Sequence, residues 1–208
     1  SHSERLGCGY STLLSQGAAW ILVRIQLEMT RYPCLGETVR IRTWPSARKR
    51  WFFPRYFVFE TEQGEALGAA SSLWALLDLK TRTMLPPTHA GVEMPDTSAI
   101  MSPLSLPTMP EDLPMEAVCS TYLPVYTDLD VNGHVNNTRY VDWLCNALGI
   151  DALRAQAPGK LQVTYHAEIR PGTQVNLSFK HKEGLFYLKA TQGDTLRFEA
   201  GGMLMHSR

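Results

Sequence analysis

Six polar or ionisable side chains fall within ten positions early in the second half of the sequence. They are Asp128, Asp130, Asn132, His134, Asn136 and Asn137. Carboxylates, an imidazole and carboxamides are the groups that accept, donate and orient protons in general acid–base chemistry. The string lies between an apolar stretch and an amphipathic one, where an ordinary surface turn needs few such groups. We interpret it as a candidate catalytic loop.

The amphipathic stretch after this loop predicts a helix over residues 138–156, and Asn136 or Asn137 is its expected N-cap. His134 and Asn132 then lie just outside a helix N-terminus, where free backbone N–H groups and the positive dipole end stabilise negative charge. Such a site suits acyl transfer, because an oxyanion develops on the attacked carbonyl. The alternative interpretation is structural, since Asp-x-Asn-Gly is also a common turn with a capping asparagine.

A glutamate farther along the chain is the second candidate. Residues 161–169 alternate between apolar and polar types, which predicts a strand that turns Glu168 to the same face as His166, Thr164 and Gln162. Most glutamates on strands are solvated surface residues. The position of Glu168 alone is therefore weak support for a catalytic role.

Periodicity and turn signals predict the elements that carry these residues. The first half predicts a helix at residues 10–20 and strands at 21–29, 40–44, 56–60 and 66–79; the second half predicts strands at 117–126, 161–169, 174–180, 185–192 and 196–205. One helix followed by hairpins, twice over, predicts an α+β fold of two tandem modules with an antiparallel sheet each. A helix wrapped by such a sheet is the hotdog arrangement.

Seven prolines between residues 84 and 114 divide the chain nearly in half. They are Pro86, Pro87, Pro95, Pro103, Pro107, Pro110 and Pro114. Because proline fixes φ and lacks a backbone donor, this stretch cannot lie inside a sheet and predicts a surface linker. The expected domains are residues 1–85, a linker at 86–115, and residues 116–208. No strand precedes the first helix, so we expect that residues upstream of Ser1 complete the first module.

Composition limits the classes of partner. The 208 residues are 44% apolar and 19% charged, which is typical of globular modules. Lys plus Arg and Asp plus Glu both number 20, so no net charge attracts nucleic acid or an anionic membrane. The longest apolar stretch, residues 66–79, is too short and too interrupted to span a membrane. Four scattered cysteines, Cys8, Cys34, Cys119 and Cys145, and the lack of a signal-peptide pattern predict a cytoplasmic protein with reduced thiols.

Two segments together resemble the signature of a known family. Residues 130–140, Asp-Val-Asn-Gly-His-Val-Asn-Asn-Thr-Arg-Tyr, and then residues 165–168, Tyr-His-Ala-Glu, look like those of plant and bacterial acyl-ACP thioesterases of fatty acid biosynthesis. The similarity extends into the first half through residues 31–38, Trp44-Pro45 and residues 72–82. It therefore covers nearly the whole chain.

The resemblance implies a tandem-hotdog hydrolase that releases free fatty acid from acyl carrier protein without a cofactor or metal. By the family's pattern Asn132 and His134 polarise the thioester carbonyl, Asp130 holds the cluster in place, and Glu168 activates water. Some family members carry a cysteine directly after this glutamate, where this sequence has Ile169. The resemblance therefore favours water attack over a covalent cysteine mechanism, and Cys145 is expected to be a core residue.

The first module lacks the polar string but is rich in large apolar side chains. We expect it to supply an acyl-chain pocket, with Trp20, Met29 and Trp74 as candidate lining residues. Core packing is the alternative explanation for each of the three.

One dense basic cluster stands out in the first half. It comprises Arg48, Lys49 and Arg50, with Arg55 close by. Because acyl carrier protein is acidic, we predict that this cluster docks the carrier, since complementary charge mainly sets encounter rate and orientation. A solvated loop explains the same residues equally well.

Three other functions stay open at this point. They are a hotdog thioesterase that acts on acyl-CoA, a non-catalytic module that binds acyl groups or the carrier, and a zinc hydrolase using Asp128, Asp130 and His134. The intact string argues against the binding module, and the short spacings without a His/Cys set argue against zinc. Tandem modules supply within one chain the pairing that single hotdogs obtain by dimerising, so both a monomer and a homodimer are open.

Overall fold

A computed structural model describes residues 2–111, 113, 118, 120–130 and 132–206. The chain divides into two compact units. The N-terminal unit comprises Ser1–Gln26 and Pro33–Pro107, and the C-terminal unit comprises Leu27–Tyr32 and Thr108–Arg208. The proline-rich segment is thus shared between the units. The domain limits at residues 85 and 115 stay a prediction.

Short helices and long strands make up the described residues. The helices are α1 (His2–Arg5), α2 (Tyr10–Ser15), α3 (Asn137–Leu148) and α4 (Ile150–Ala155). The strands are β1 (Ala18–Met29), β2 (Val39–Pro45), β3 (Phe53–Thr61), β4 (Ala66–Asp78), β5 (Met84–Leu85), β6 (Ser120–Tyr122), β7 (Gln156–Tyr165), β8 (Val175–Lys182), β9 (Leu185–Gln192) and β10 (Thr195–His206). Single 3-10 turns lie at His89–Gly91 and Tyr126–Asp128.

The N-terminal unit is built on a sheet with strand order β2-β3-β4-β1, and β5 lies beside β4. The β2–β3, β3–β4 and β4–β5 pairs are antiparallel. Leu13 of α2 packs with Ala18, Phe53 and Leu76 in the core. Trp20 meets Phe53 edge to face, with ring centroids 4.9 Å apart. Burial of these apolar side chains is the main favourable term in folding this unit.

The C-terminal unit carries a sheet with strand order β7-β10-β9-β8-β6. The β7–β10, β10–β9, β9–β8 and β8–β6 pairs are antiparallel. Helix α3 packs onto this sheet through Tyr140, whose ring lies 5.6 Å from that of Tyr165 and 4.8 Å from that of Phe198. These aromatic contacts fix the helix that follows the polar string against β7 and β10.

Both long helices of the sequence prediction are shorter in the structure. The helix predicted at residues 10–20 ends at Ser15, because Gly17 has a φ of +70° and β1 already begins at Ala18. The helix predicted at residues 138–156 breaks at Gly149, whose φ of +85° no helix accepts. Glycine tolerates this conformation because it has no Cβ.

Seven predicted strands are confirmed with small shifts at their ends: those at residues 21–29, 40–44, 56–60, 66–79, 174–180, 185–192 and 196–205. The strand predicted at 117–126 is shorter, since β6 covers Ser120–Tyr122 and Tyr126 already begins a 3-10 turn. Residues 117 and 119 lie outside the described residues. The antiparallel α+β class is confirmed.

The strand predicted at residues 161–169 is wrong at both ends. Strand β7 begins earlier, at Gln156, and ends at Tyr165, so Glu168 lies in irregular chain after the strand. Strand β7 ends early because its pairing with β10 stops at Tyr165, which lies opposite Phe198. The face that we predicted for Glu168 by strand alternation therefore does not apply.

The described part of the proline-rich segment is hydrogen-bonded to each unit. Within the N-terminal unit Thr97 donates to the Pro45 carbonyl at 2.8 Å, and Ser71 donates to the Ser105 carbonyl at 2.7 Å. Within the C-terminal unit Gln162 donates to the Thr108 hydroxyl. None of the helices in the described part of the chain is long and apolar enough to cross a membrane. A cytoplasmic location stays a prediction.

Candidate active site

The polar string forms a closed loop at residues 126–136, which we call the polar loop. Leu129 and Val135 form an antiparallel bridge across it, and the Asn136 N–H donates to the Asp128 carbonyl at 2.8 Å. These bonds bring the two ends of the loop together directly before α3. The described residues between them are held in a tight turn. Val131 lies outside the described residues.

Asp128 anchors the start of the polar loop. Its side chain is buried, and Oδ2 accepts from the Val125 N–H at 2.7 Å and from the Tyr122 hydroxyl at 3.0 Å. A buried carboxylate is tolerated because these donors replace water. These contacts indicate a structural role for Asp128.

Asp130 organises the turn from within. Its Oδ1 accepts from the backbone N–H groups of Asn132 at 2.8 Å and of His134 at 3.3 Å. The Asp130 N–H donates in return to the His134 carbonyl at 2.8 Å. The amide of Asn132 also lies 3.5 Å from Asp130 Oδ2, at the outer limit of a hydrogen bond. Gly133 has a φ of +74°, which lets the chain reverse between Asn132 and His134.

The predicted N-cap is confirmed at Asn136. Its side-chain oxygen accepts from both the backbone N–H and the hydroxyl of Thr138, each at 3.0 Å, and α3 begins at Asn137. His134 thus lies two residues before the cap of a twelve-residue helix. The partial positive charge at this helix end favours negative charge on a group held beside the loop.

The structure brings Glu168 to His134. His134 Nε2 lies 3.2 Å from Glu168 Oε2, and the two side chains are 20% and 36% exposed. The Val135 N–H donates to the Ile169 carbonyl at 3.0 Å, which joins the polar loop to the segment that carries Glu168. A carboxylate in contact with an imidazole, both within reach of solvent, is able to take and pass on a proton.

Tyr140 underlies this contact from the first turns of α3. Burial, with smaller contributions from the negative charges of Glu168 and Asp130, raises the pKa of Tyr140 to about 12. The backbone N–H of Ile169 acts in the opposite direction. The phenol therefore stays protonated and uncharged at neutral pH, and its well-packed ring supports the residues of the site.

Comparison with known proteins bears on both halves of the chain. Residues 1–88 match the acyl-ACP thioesterase N-terminal domain, and residues 112–199 match the acyl-ACP thioesterase C-terminal domain. The chain belongs to the acyl-ACP thioesterase family. Membership in this family confirms the resemblance that the polar loop and the Glu168 segment indicated.

Plant members of the acyl-ACP thioesterase family are among the similar curated proteins. A chloroplastic palmitoyl-acyl carrier protein thioesterase of Gossypium hirsutum is 29% identical over 173 residues, 78% of this chain and 42% of its own length. A chloroplastic acyl-[acyl-carrier-protein] hydrolase of Cuphea viscosissima is 28% identical over 198 residues, 91% of this chain and 48% of its own. This chain spans about half the length of these relatives.

Solved structures of the family share the fold. An acyl-ACP thioesterase from Bacteroides thetaiotaomicron superposes with a TM-score of 0.83 at 22% identity, over 98% of this chain and 84% of the other. A 12:0-ACP thioesterase from Umbellularia californica gives a TM-score of 0.81 at 19% identity, over 99% and 85%. The predicted tandem-hotdog fold is confirmed.

The basic cluster that we predicted from sequence separates in the structure. Arg48, Lys49 and Arg50 are exposed on a tight turn, in which Lys49 and Phe52 exchange backbone hydrogen bonds. Arg55 is half-buried on β3, donates to Thr43 at 3.1 Å, and has a pKa lowered mainly by burial. Its guanidinium therefore belongs to the interior of the N-terminal unit, whereas the other three face solvent.

A cavity of about 280 Å³ lies in the N-terminal unit. It is lined by Ser3, Cys8, Trp20, Pro45, Phe53, Pro54, Arg55, Trp74 and Met94. The structure thus brings together Trp20 and Trp74, two of the three predicted pocket residues. Met29 is not among the lining residues; it ends β1, in a stretch that belongs to the C-terminal unit.

Sequence reasoning missed the groups that hold the Glu168 segment. The Arg197 carbonyl accepts from the N–H groups of His166 at 2.9 Å and Ala167 at 3.2 Å. Glu199 is buried and lies against His166 and Tyr187. The sequence signal that could have identified Glu199 is a glutamate between Phe198 and Ala200 in an otherwise apolar part of the strand. No group of three or more His, Cys, Asp or Glu side chains suited to a metal ion occurs among the described residues.

Proposed function

We propose that this protein hydrolyses the thioester of a fatty acyl group on acyl carrier protein, releasing free fatty acid and the carrier thiol. The contact between His134 and Glu168, 3.2 Å apart beside the start of α3, is the observation that carries the proposal. The names of the related plant proteins supply the substrate class.

In the proposed reaction Glu168 acts as the general base. It takes a proton from water while the water oxygen bonds to the thioester carbonyl carbon, and the carbonyl becomes an oxyanion. His134 and the amide of Asn132 stabilise that oxyanion, with help from the N-terminus of α3. The C–S bond then breaks, and the carrier thiolate takes up the proton that Glu168 accepted.

The positions of the cysteines support water attack over a covalent route. Ile169 occupies the position after Glu168 and is fully buried. Cys145 is half-buried in α3, and burial raises the pKa of its thiol, which disfavours the nucleophilic thiolate. Asp130 has the supporting role, because its carboxylate fixes the backbone of both Asn132 and His134.

The deciding experiment measures free fatty acid released from a panel of acyl-ACP and acyl-CoA substrates. We expect preference for acyl-ACP, a loss of kcat of about 10²- to 10⁴-fold in Glu168→Gln, and a loss of about 10²- to 10³-fold in His134→Ala. Matched controls are Glu183→Gln and His181→Ala, both at exposed positions. Preference for acyl-CoA would show that the substrate is carried by coenzyme A and not by acyl carrier protein. Full activity of Glu168→Gln would show that Glu168 is not the general base.

We further propose that Arg48, Lys49 and Arg50 dock the acidic carrier protein. Their exposure on one tight turn supports this role, whereas Arg55 is withdrawn from that surface. Charge reversal at the three exposed positions should raise KM for acyl-ACP and leave small acyl-thioester substrates unaffected. Arg154→Glu, also exposed, is the matched control. Equal effects on both substrates would contradict docking at this turn.

The cavity of the N-terminal unit is our proposed acyl-chain pocket. Its mainly apolar lining, with Trp20 and Trp74, supports this assignment. Met94→Trp adds bulk to the lining and should shift the substrate profile toward shorter acyl chains. Met109→Trp, at an exposed position, should leave the profile unchanged. An unchanged profile in Met94→Trp would place the acyl chain elsewhere.

A further inference from the structure

A buried carboxylate lies outside the proposed catalytic cluster. The side chain of Glu199 on β10 is 4% exposed, and its Oε1 lies 2.6 Å from His166 Nε2. Its other oxygen accepts from the hydroxyl of Tyr187 on β9. An imidazole N–H at Nε2 and a carboxylate oxygen are matched donor and acceptor at this distance.

Strand register explains why Glu199 meets Tyr187, and the end of β7 brings His166 to the same place. Glu199 lies opposite Thr164 on β7 and opposite Lys189 on β9. His166 is two positions beyond Thr164, and Tyr187 is two positions before Lys189. Tyr187 is therefore a diagonal neighbour of Glu199 on the same face of the sheet, within reach of long side chains. His166 lies just beyond the end of β7, where its N–H donates to the Arg197 carbonyl and its imidazole reaches Glu199.

A β-bulge in β10 receives the backbone of the same segment. The pairing with β9 passes from Leu196 opposite Thr191 to Phe198 opposite Ala190, which leaves Arg197 as the extra residue. Its carbonyl accepts from two successive N–H groups, those of His166 and Ala167. Bulges of this kind commonly re-aim the chain beside active sites.

Residues 166–169 are therefore held at both ends. At one end β10 binds the backbone through the Arg197 carbonyl and the side chain of His166 through Glu199. At the other end the Ile169 carbonyl accepts from Val135 of the polar loop. Glu168 lies between these two attachments and reaches His134 at 3.2 Å.

We propose that Glu199, acting through His166, is a positioning residue for the base Glu168; this inference rests on the proposed function. Packing alone is served better by an apolar residue at position 199, because burying a carboxylate costs free energy that its partners must offset. The partners here are Tyr187 on one side and His166 on the other. His166 is two residues from Glu168 in the chain, so the contact between His166 and Glu199 sets where the Glu168 carboxylate lies.

The test compares the loss of each of the two partners of the Glu199 carboxylate, His166 and the Tyr187 hydroxyl. His166→Ala should lower kcat by about 10- to 100-fold with KM within about twofold of wild type, because a displacement of about 1 Å of a catalytic group costs rates of that order. His166→Gln, which keeps a donor, should recover part of the loss. Tyr187→Phe should lower the melting temperature but cost less than about threefold in kcat. His206→Ala is the matched control, because His206 is an exposed histidine on β10, the strand that carries Glu199.

A second readout is independent of activity. Amide hydrogen exchange at Ala167 and Val135 should accelerate by more than about tenfold in His166→Ala and stay unchanged in His206→Ala, since exchange reports local opening. Equal kcat losses in His166→Ala and Tyr187→Phe, or unchanged exchange in His166→Ala, would overturn the positioning role. Wild-type protein that hydrolyses no thioester would overturn the proposed function instead, and the exchange rates would still report on the attachment.

Discussion

Replacement of Asp128 by alanine tests how the polar loop is held in place. The change removes the acceptor of two hydrogen bonds, from the Val125 N–H at 2.7 Å and the Tyr122 hydroxyl at 3.0 Å. A hydrogen bond to a charged group contributes about 1.5–3 kcal/mol. Both bonds share one oxygen and Tyr122 is only half-buried, so we expect a loss of about 2–4 kcal/mol in the free energy of unfolding.

Urea unfolding followed by circular dichroism measures this loss. Asp128→Asn keeps an acceptor oxygen of the same shape and should lose less than the alanine variant. Asp151→Ala removes a fully exposed carboxylate, 3.7 Å from Arg154, and should leave stability unchanged. Because the loop carries His134, kcat for thioester hydrolysis should fall in Asp128→Ala as well. Equal stability of Asp128→Ala and Asp151→Ala would refute the anchoring role.

Three further predictions concern stability and use the same unfolding assay. Burial raises the pKa of Tyr140 from its usual 10.0 to about 12, so its contribution to stability is complete below pH 10 and is lost as pH rises through 12; Tyr140→Phe should show a weaker loss over this range. Gly149→Ala, at a φ of +85° and a ψ of 161° with no atom within 4 Å of the new Cβ, should cost about 1–3 kcal/mol from backbone strain alone. Gly202→Ala should cost about 3 kcal/mol or more, because its Cβ would lie 1.9 Å from the Lys160 carbonyl oxygen.

Local chemistry explains what the sequence could predict. The turn around Asp130 and the Asn136 cap depend on side-chain hydrogen bonds between residues at most four positions apart. Strands with alternating side chains and glycine turns are also read within short windows. For this reason the α+β fold, the cap and most of the strands were predictable, and the residue types of the site indicated acyl transfer.

Longer-range prediction failed where two distant segments compete for the same backbone groups. Residues 166–169 continue the alternation of β7, yet the bulge at Arg197 ends the pairing and takes both N–H groups. Arg55 is near Arg50 in sequence, but β3 carries it into the cavity wall while Arg50 faces solvent. Neither outcome is encoded within a short window.

The sequence by itself determined which chemical groups the site contains, because the types and spacing of Asp130, Asn132 and His134 are local properties. Only the tertiary structure decided that Glu168 reaches His134. Their contact depends on the hydrogen bond between Val135 and Ile169 and on the hold of β10 on His166, whose partner Glu199 is 33 positions away. Such pairings form only when the whole sheet sets its register, so no segment of the chain specifies them alone.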